Sequence, residues 1–294
     1  MKSSGWNERR RLYDRWVRYL FLSSAGLMAV LIFAIILFVG QQGLQTFHEV
    51  SPAEFFLSTR WEPTEGQYGA LSFIWGTFSV TVLSVILGAP LGISCAVFLA
   101  KIAPNRLRLW MKPIINLYMA IPSVVYGFLG LTILVPWVRT TFDVPSGFGL
   151  LSASLILGVM ILPTVITISE DALQSVPQAL EDGSLALGAT RWQTLWRVII
   201  PAASPGIMTG VVLAMARAVG ETMAVQMVIG NAPQMAKSLF MPTGALPSAI
   251  VVEMGNTPFG SVWGNSLFLM ALVLLLISVG MILCIRSIGR REVA

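Results

Sequence analysis

Val211-Val212-Leu213-Ala214-Met215-Ala216-Arg217-Ala218-Val219-Gly220-Glu221-Thr222-Met223 lies in an apolar run, from about 198 to 230, with one Arg, one Glu and no other charge. The length and apolarity of the run predict a membrane-crossing helix. Four residues apart on a continuous helix, Arg217 and Glu221 share a face within reach of each other. An ionisable residue inside a span costs about 2.5–3.5 kcal/mol on insertion scales, so the pair is a candidate functional site. Gly206, Gly210, Ala214 and Ala224 fall on the same face, and small side chains beside a charge leave room for a solute or for another helix. The pattern also fits two charges that merely neutralise each other at a helix-packing contact.

The rest of the chain has the same character. Of its 294 residues 55% are hydrophobic and 11% are charged, against about 25% charged in a soluble domain. This is the composition of an all-α polytopic membrane protein. Six apolar runs are long enough to span a bilayer, at about 21–40, 71–100, 113–138, 148–168, 202–230 and 263–285. Internal Pro90, Pro122, Pro136 and Pro163 predict kinks or breaks, which membrane helices tolerate where neighbours satisfy the freed backbone groups. The first run is longer than the apolar core of a signal peptide and reads as a retained anchor.

Loop charges predict the orientation. Lys2, Arg9, Arg10, Arg11, Arg15 and Arg18 precede the first run, and Lys101, Arg106, Arg108 and Lys112 follow the second. Arg191 and Arg197 lie in the fourth loop, and Arg286, Arg290 and Arg291 in the tail. The other three loops carry only Arg60, Arg139 and Lys237. Both termini are therefore expected in the cytoplasm. The positive net charge follows from this bias and does not imply nucleic acid. The first outside loop, about 41–70, is acidic (Glu49, Glu54, Glu62, Glu65), contains Trp61 and several Phe, and reads as ordered.

Enzymatic chemistry finds little footing. His48 is the only histidine, and Cys95 and Cys284 fall in apolar runs with no metal-ligand spacing. Glu221 reads as the only carboxylate at membrane depth, so neither a nucleophile with its base nor a pair of carboxylates is available there. No phosphate-cradling G-x-x-x-x-G-K-[ST] loop is present, so any ATP-Mg must be bound by a partner.

The fourth loop, 169–201, is the largest feature on the cytoplasmic side. Residues 177–197 read as a helix, a break at Gly188, and a second amphipathic helix with Trp192 and Trp196 on one side and Thr190 as its cap. Leu185, Ala186 and Leu187 suit docking into a groove on a partner, and equally suit an interfacial helix packed on its own bundle.

Asp182-Gly183-Ser184, Leu185-Ala186-Leu187, Gly188 and Val198-Ile199-Ile200-Pro201 resemble the cytoplasmic loop signature of bacterial ABC importer permeases: E-A-A, three residues, Gly, nine residues, I-x-L-P. The glycine, spacing and proline match, while E-A-A is altered to D-G-S. Ala120-Ile121-Pro122-Ser123-Val124-Val125-Tyr126-Gly127 resembles the phosphate-permease version of the third span. Gly220-Glu221-Thr222-Met223-Ala224-Val225, followed by Val228-Ile229-Gly230-Asn231, resembles the PstC type more than the sister PstA type. The resemblance covers about 55–286. It implies the type I importer fold: an N-terminal region 1–70, a transmembrane domain 71–286 with the coupling loop 169–201, and a tail 287–294. It also implies a multi-pass inner-membrane permease working with a PstA-type permease, a PstB-type ATPase dimer and a periplasmic PstS-type phosphate-binding protein. Asp182, Gly183, Ser184, Leu185, Leu187, Gly188 and Pro201 then contact the ATPase. Arg217, Glu221, Thr222, Ser123 and Tyr126 then line the passage. Arg217 offers phosphate a permanent charge and a two-pronged fork. Glu221 reads either as the counter-ion of Arg217 or as acceptor from a protonated phosphate oxygen. Sulfate or molybdate is the rival cargo.

Overall fold

Runs of this length and apolarity have one backbone solution in lipid, the helix, because every N–H and C=O must find its partner within the segment. The computed structural model describes the backbone of residues 4–291 and the side chains of residues 15–283. Lys2, residues 292–294, and the side chains of Arg9, Arg10, Arg11, Cys284, Arg286, Arg290 and Arg291 lie outside the described residues. Six helices among those described are long and apolar enough to cross a membrane.

The first is α1 (Ser4–Leu44). After it, residues 45–70 fold into a cap: a 3-10 turn, the helix α2 (Pro52–Leu57), and a two-stranded ribbon of β1 (Trp61–Glu62) and β2 (Gln67–Tyr68). Ser51 caps α2 by accepting the Glu54 amide, and Trp61 pairs with Tyr68 across the antiparallel ribbon. The ordered loop expected at 41–70 is therefore present.

Span two is α3 (Leu71–Val97), extended by a π turn, Phe98–Ile102. Two helices then replace the single third run: α4 (Asn105–Met119), and α5 (Ser123–Leu129), which continues through a π turn, Gly130–Leu134, into α6 (Val135–Thr141). The apolar run at 113–138 thus misplaces the third span, which is Ser123–Thr141. Pro113 lies inside α4, and the helix breaks at Ala120–Pro122, where Pro122 cannot donate its amide and disfavours helix before it. Pro90 and Pro163 do not break their helices.

Span four, α7 (Leu150–Gln174), runs six residues further than its apolar stretch. A short α8 (Gln178–Ala186) follows, then α9 (Arg191–Thr194), the π turn Leu195–Ile199 and α10 (Ile200–Val219) as one membrane-length helix, Arg191–Val219. The loop expected at 169–201 shrinks accordingly to 175–190, because both flanking helices reach into it. The chain then turns into α11 (Met223–Val228), an irregular stretch, α12 (Leu246–Met254) and span six, α13 (Val262–Arg291).

Small residues set the packing. A Cβ on Gly88 of α3 would sit 2.7 Å from the Gly158 carbonyl of α7, so these two helices approach backbone to backbone. Gly206 of α10 faces Ala172 of α7, and a Cβ on Gly210 would meet Ile168 at 3.2 Å. Gly206 and Gly210 therefore seat span five on span four; they do not leave room for a solute. A second core joins cap and bundle. Phe55, Trp61 and Phe73 pack with Leu246, Leu267 and Met270, all buried.

Candidate functional site

The break after α10 decides the geometry of the opening stretch. Gly220, a poor helix former, caps α10, and the backbone turns through Glu221 and Thr222 before α11 begins. Arg217 and Glu221 are therefore not on one continuous helix. No ion pair joins them among the described residues. The Glu221 carboxylate instead accepts, at 3.4 Å, from the amide of Ala224 in the first turn of α11. Arg217 is half-buried and has no acid partner among the described residues.

The second break brings the other residues to the same place. α5 packs on α11 through Gly127, where a Cβ would lie 2.8 Å from the Met227 sulfur and 3.0 Å from Ala224 Cα. Gly130, one turn on, faces Val228. This register runs the two short helices parallel, so Ser123 and Thr222, at their starts, stand at the same level. Irregular backbone at membrane depth persists only where it is buried in protein or lines a cavity. Two adjacent breaks beside a lone guanidinium form the candidate passage.

The hydroxyls differ in how free they are. Tyr126 is buried, and its hydroxyl donates to the Tyr118 carbonyl at 2.8 Å across the α4–α5 break. It clamps the break, and its proton is committed to that carbonyl. It lies within electrostatic range of Arg217. The Thr222 hydroxyl donates weakly to the Gly220 carbonyl at 3.3 Å. Ser123 is half-buried without a side-chain partner among the described residues, which leaves it the freest of the three.

At the other functional segment, α8 has no buried residue, and Leu187 at its C-terminus is 90% exposed. Gly188 follows with φ +83°, a left-handed turn in which a side chain is strained although nothing lies within 4 Å of a Cβ there. Thr190 then starts α9 with a capping box: its hydroxyl accepts the Gln193 amide, and its own amide donates to Gln193 Oε1. Trp192 and Trp196 are exposed and stack edge to face. Asp182, Gly183, Leu185 and Pro201 are exposed as well, whereas Ser184 turns inward to the buried Thr194 hydroxyl at 2.9 Å.

Three acids escaped the sequence reading. Glu170 sits in α7, only 2% exposed, whereas Glu221 is half-buried. Its carboxylate accepts from Arg108 and Lys112 of α4 at 3.3 and 3.2 Å, and from Gln174 at 2.6 Å. That network compensates its burial and makes it a structural ion cluster. Glu181 pairs with Lys101 at 2.8 Å. In the cap, Glu253 of α12 accepts from the Trp61 and Trp263 indoles at 2.8 and 2.7 Å, tying the ribbon to span six. Gln174, four residues after Glu170, and Trp263, ten after Glu253, were the local signals; the other partners are remote in sequence. Also in the cap, Glu62 hydrogen-bonds and repels Glu65 and holds its carboxyl above the usual range.

Known proteins bear on this arrangement. Residues 88–293 match the family model described as "Binding-protein-dependent transport system inner membrane component". The probable ABC transporter permease protein YqgH of Bacillus subtilis is 48% identical over 97% of this chain and 94% of its own length. The phosphate transport system permease protein PstC of Mesorhizobium japonicum is 36% identical over 83% of this chain and 80% of its own. Among solved structures, a bacterial ABC transporter involved in the import of alginate has a chain that aligns with TM-score 0.64 at 17% identity, over 96% of this chain and 99% of that one. The MetNI methionine ABC transporter aligns with TM-score 0.61 at 21% identity, over 79% and 99%. Matching most of its length in sequence and in fold, this chain belongs to the family of binding-protein-dependent transport system inner membrane components, as a multi-pass permease with the type I ABC importer fold.

Proposed function

We propose that this chain is the PstC-type permease subunit of an ATP-driven importer that passes inorganic phosphate across the inner membrane. The observation that carries this reading is Arg217, a permanent cation without an acid partner among the described residues, beside two helix breaks, one at the start of span three and one at the end of span five. Phosphate near neutral pH is an anion of one to two charges, and a guanidinium contact that is weak in water strengthens in a partly dehydrated passage. One such contact also permits release, which a tight cage would not. The PstC relatives support phosphate as the cargo; the fold does not choose, since methionine and alginate importers share it.

In this reading a PstA-type permease completes the passage, a PstB-type ATPase docks on α8, and a PstS-type protein delivers phosphate to the cap end. Vesicles containing the full complex should take up phosphate in an ATP-dependent manner, with excess sulfate competing weakly. Uptake of sulfate or molybdate in preference to phosphate would replace the cargo and keep the permease.

The basic bias supports an orientation with the α8 end in the cytoplasm and the cap outside. With the native cysteines replaced, a cysteine at Glu54 should react with a membrane-impermeant maleimide in intact cells. One at Leu187 should react only after lysis. The reverse pattern overturns this orientation.

A further inference from the structure

α8 is fastened to the bundle in an unusual way. None of its residues is buried, so no apolar anchor fixes it. Two polar contacts do. The Glu181 carboxylate accepts from Lys101 Nζ at 2.8 Å, and the Ser184 hydroxyl meets that of Thr194 at 2.9 Å. Glu181 and Ser184 are three apart and so share one face of α8. Leu180, Leu185 and Leu187 are exposed. The partners lie on different membrane helices. Lys101 is in the π turn that ends span two, and Thr194 is in the first turn of the helix that becomes span five. Spans two and five both pack on α7 and share a core with it through Ala96, Leu173 and Ile199.

We propose that these two contacts are struts that pass the movement of α8 into the membrane helices, with Lys101 and Glu181 as the positioning pair that drives span two. The proposal rests on the reading of α8 as the ATPase-docking segment. A helix without apolar anchorage shifts as a unit when a partner pulls on it, and its side-chain tethers convey that shift beside the two short links of chain to α7 and α9. Arg108 and Lys112, two other cations near this end, are held by Glu170 on α7. Lys101 is the one cation that reaches α8 among the described residues. Its side chain is 19% exposed and that of Glu181 27%, so both are largely shielded from water. Removing one partner of a shielded pair leaves the other charge poorly solvated, so abundance in the membrane is read beside coupling and the double charge swap separates the two.

The test uses the complete complex in proteoliposomes and reads phosphate transported per ATP hydrolysed. Lys101→Glu and Glu181→Lys should each lower that ratio about fivefold or more, the lower end of coupling between linked sites, while the ATPase subunit still co-purifies. The double swap Lys101→Glu/Glu181→Lys should restore the ratio to within about twofold, which loss of structure would not do. If charge reversal depletes the protein from membranes, Lys101→Met and Glu181→Gln carry the same test, with a decrease in the same direction. Parental ratios in the single variants, or an unrescued double swap at normal abundance, overturn the strut. Loss of ATPase co-purification in the single variants also overturns it, because the pair would then be part of the docking surface. Failure of the docking reading looks different: Leu187→Asp would leave co-purification intact.

Discussion

Phosphate uptake should fall about a hundredfold in Arg217→Gln, with normal amounts of protein in the membrane. Hydrogen bonds to a charged group contribute about 1.5–3 kcal/mol each, and about 2.7 kcal/mol corresponds to a hundredfold. Glutamine keeps a polar, hydrogen-bonding side chain, though a shorter one, and removes the charge. Arg217→Lys keeps the charge but loses the planar fork, and should fall between the two. Abundance should hold because Arg217 makes no ion pair with an acid among the described residues, so its removal strands no buried partner. Glu221→Gln gives a separate reading. The carboxylate lies against the Ala224 amide and not against Arg217, so a counter-ion role lacks its geometry in this conformation. As acceptor from a protonated phosphate oxygen, its loss should raise competition by sulfate, which at neutral pH has no proton to donate. Phosphate uptake by the full complex, with and without sulfate, reads both variants. Parental uptake in Arg217→Gln at normal abundance would make Arg217 a packing residue and remove the passage from this place.

The parts of this molecule legible in sequence are those set by local chemistry. Spans one, two, four and six follow from run length, because lipid permits no other backbone for such a stretch. The helix, glycine turn and capped second helix around Gly188 follow from Thr190, Gln193 and the glycine itself. The third span was misread because α4 carries Ile114, Ile115 and Leu117 on an amphipathic helix, and these merge with the true span in a count of apolar residues. The break at 220–222 was missed because Gly220 alone does not announce it; Arg217 and Glu221 then looked like a helical pair. Glu170 and Glu253 were illegible for another reason. Arg108 and Lys112 lie about sixty residues from Glu170, and Trp61 lies 192 from Glu253, so only the folded chain reveals that these acids are paired.

Leu187→Asp should abolish binding of the ATPase subunit while the permease stays folded in the membrane. Leu187 is 90% exposed at the end of α8, an arrangement that costs nothing to the bundle and leaves a large apolar side chain for a partner. Complete burial of a leucine contributes about 1.5–3 kcal/mol, and an unpaired carboxylate forced into the same groove adds a desolvation cost of several more. Affinity should therefore drop by about a thousandfold or more. Gly188→Pro reaches the same end by another route. Proline holds φ near −65°, whereas Gly188 needs +83°, so α8 could no longer turn into α9 as it does. Gly188→Ala separates the two causes. Its Cβ meets nothing within 4 Å, so only the left-handed backbone is penalised, by about 1–2 kcal/mol, and binding should weaken without vanishing. Co-purification of the ATPase with tagged permease reads all three, and permease abundance in the membrane serves as the control. If the ATPase co-purifies normally with Leu187→Asp, the exposed face of α8 is not where it docks, and Leu187 faces lipid or water in the assembled transporter.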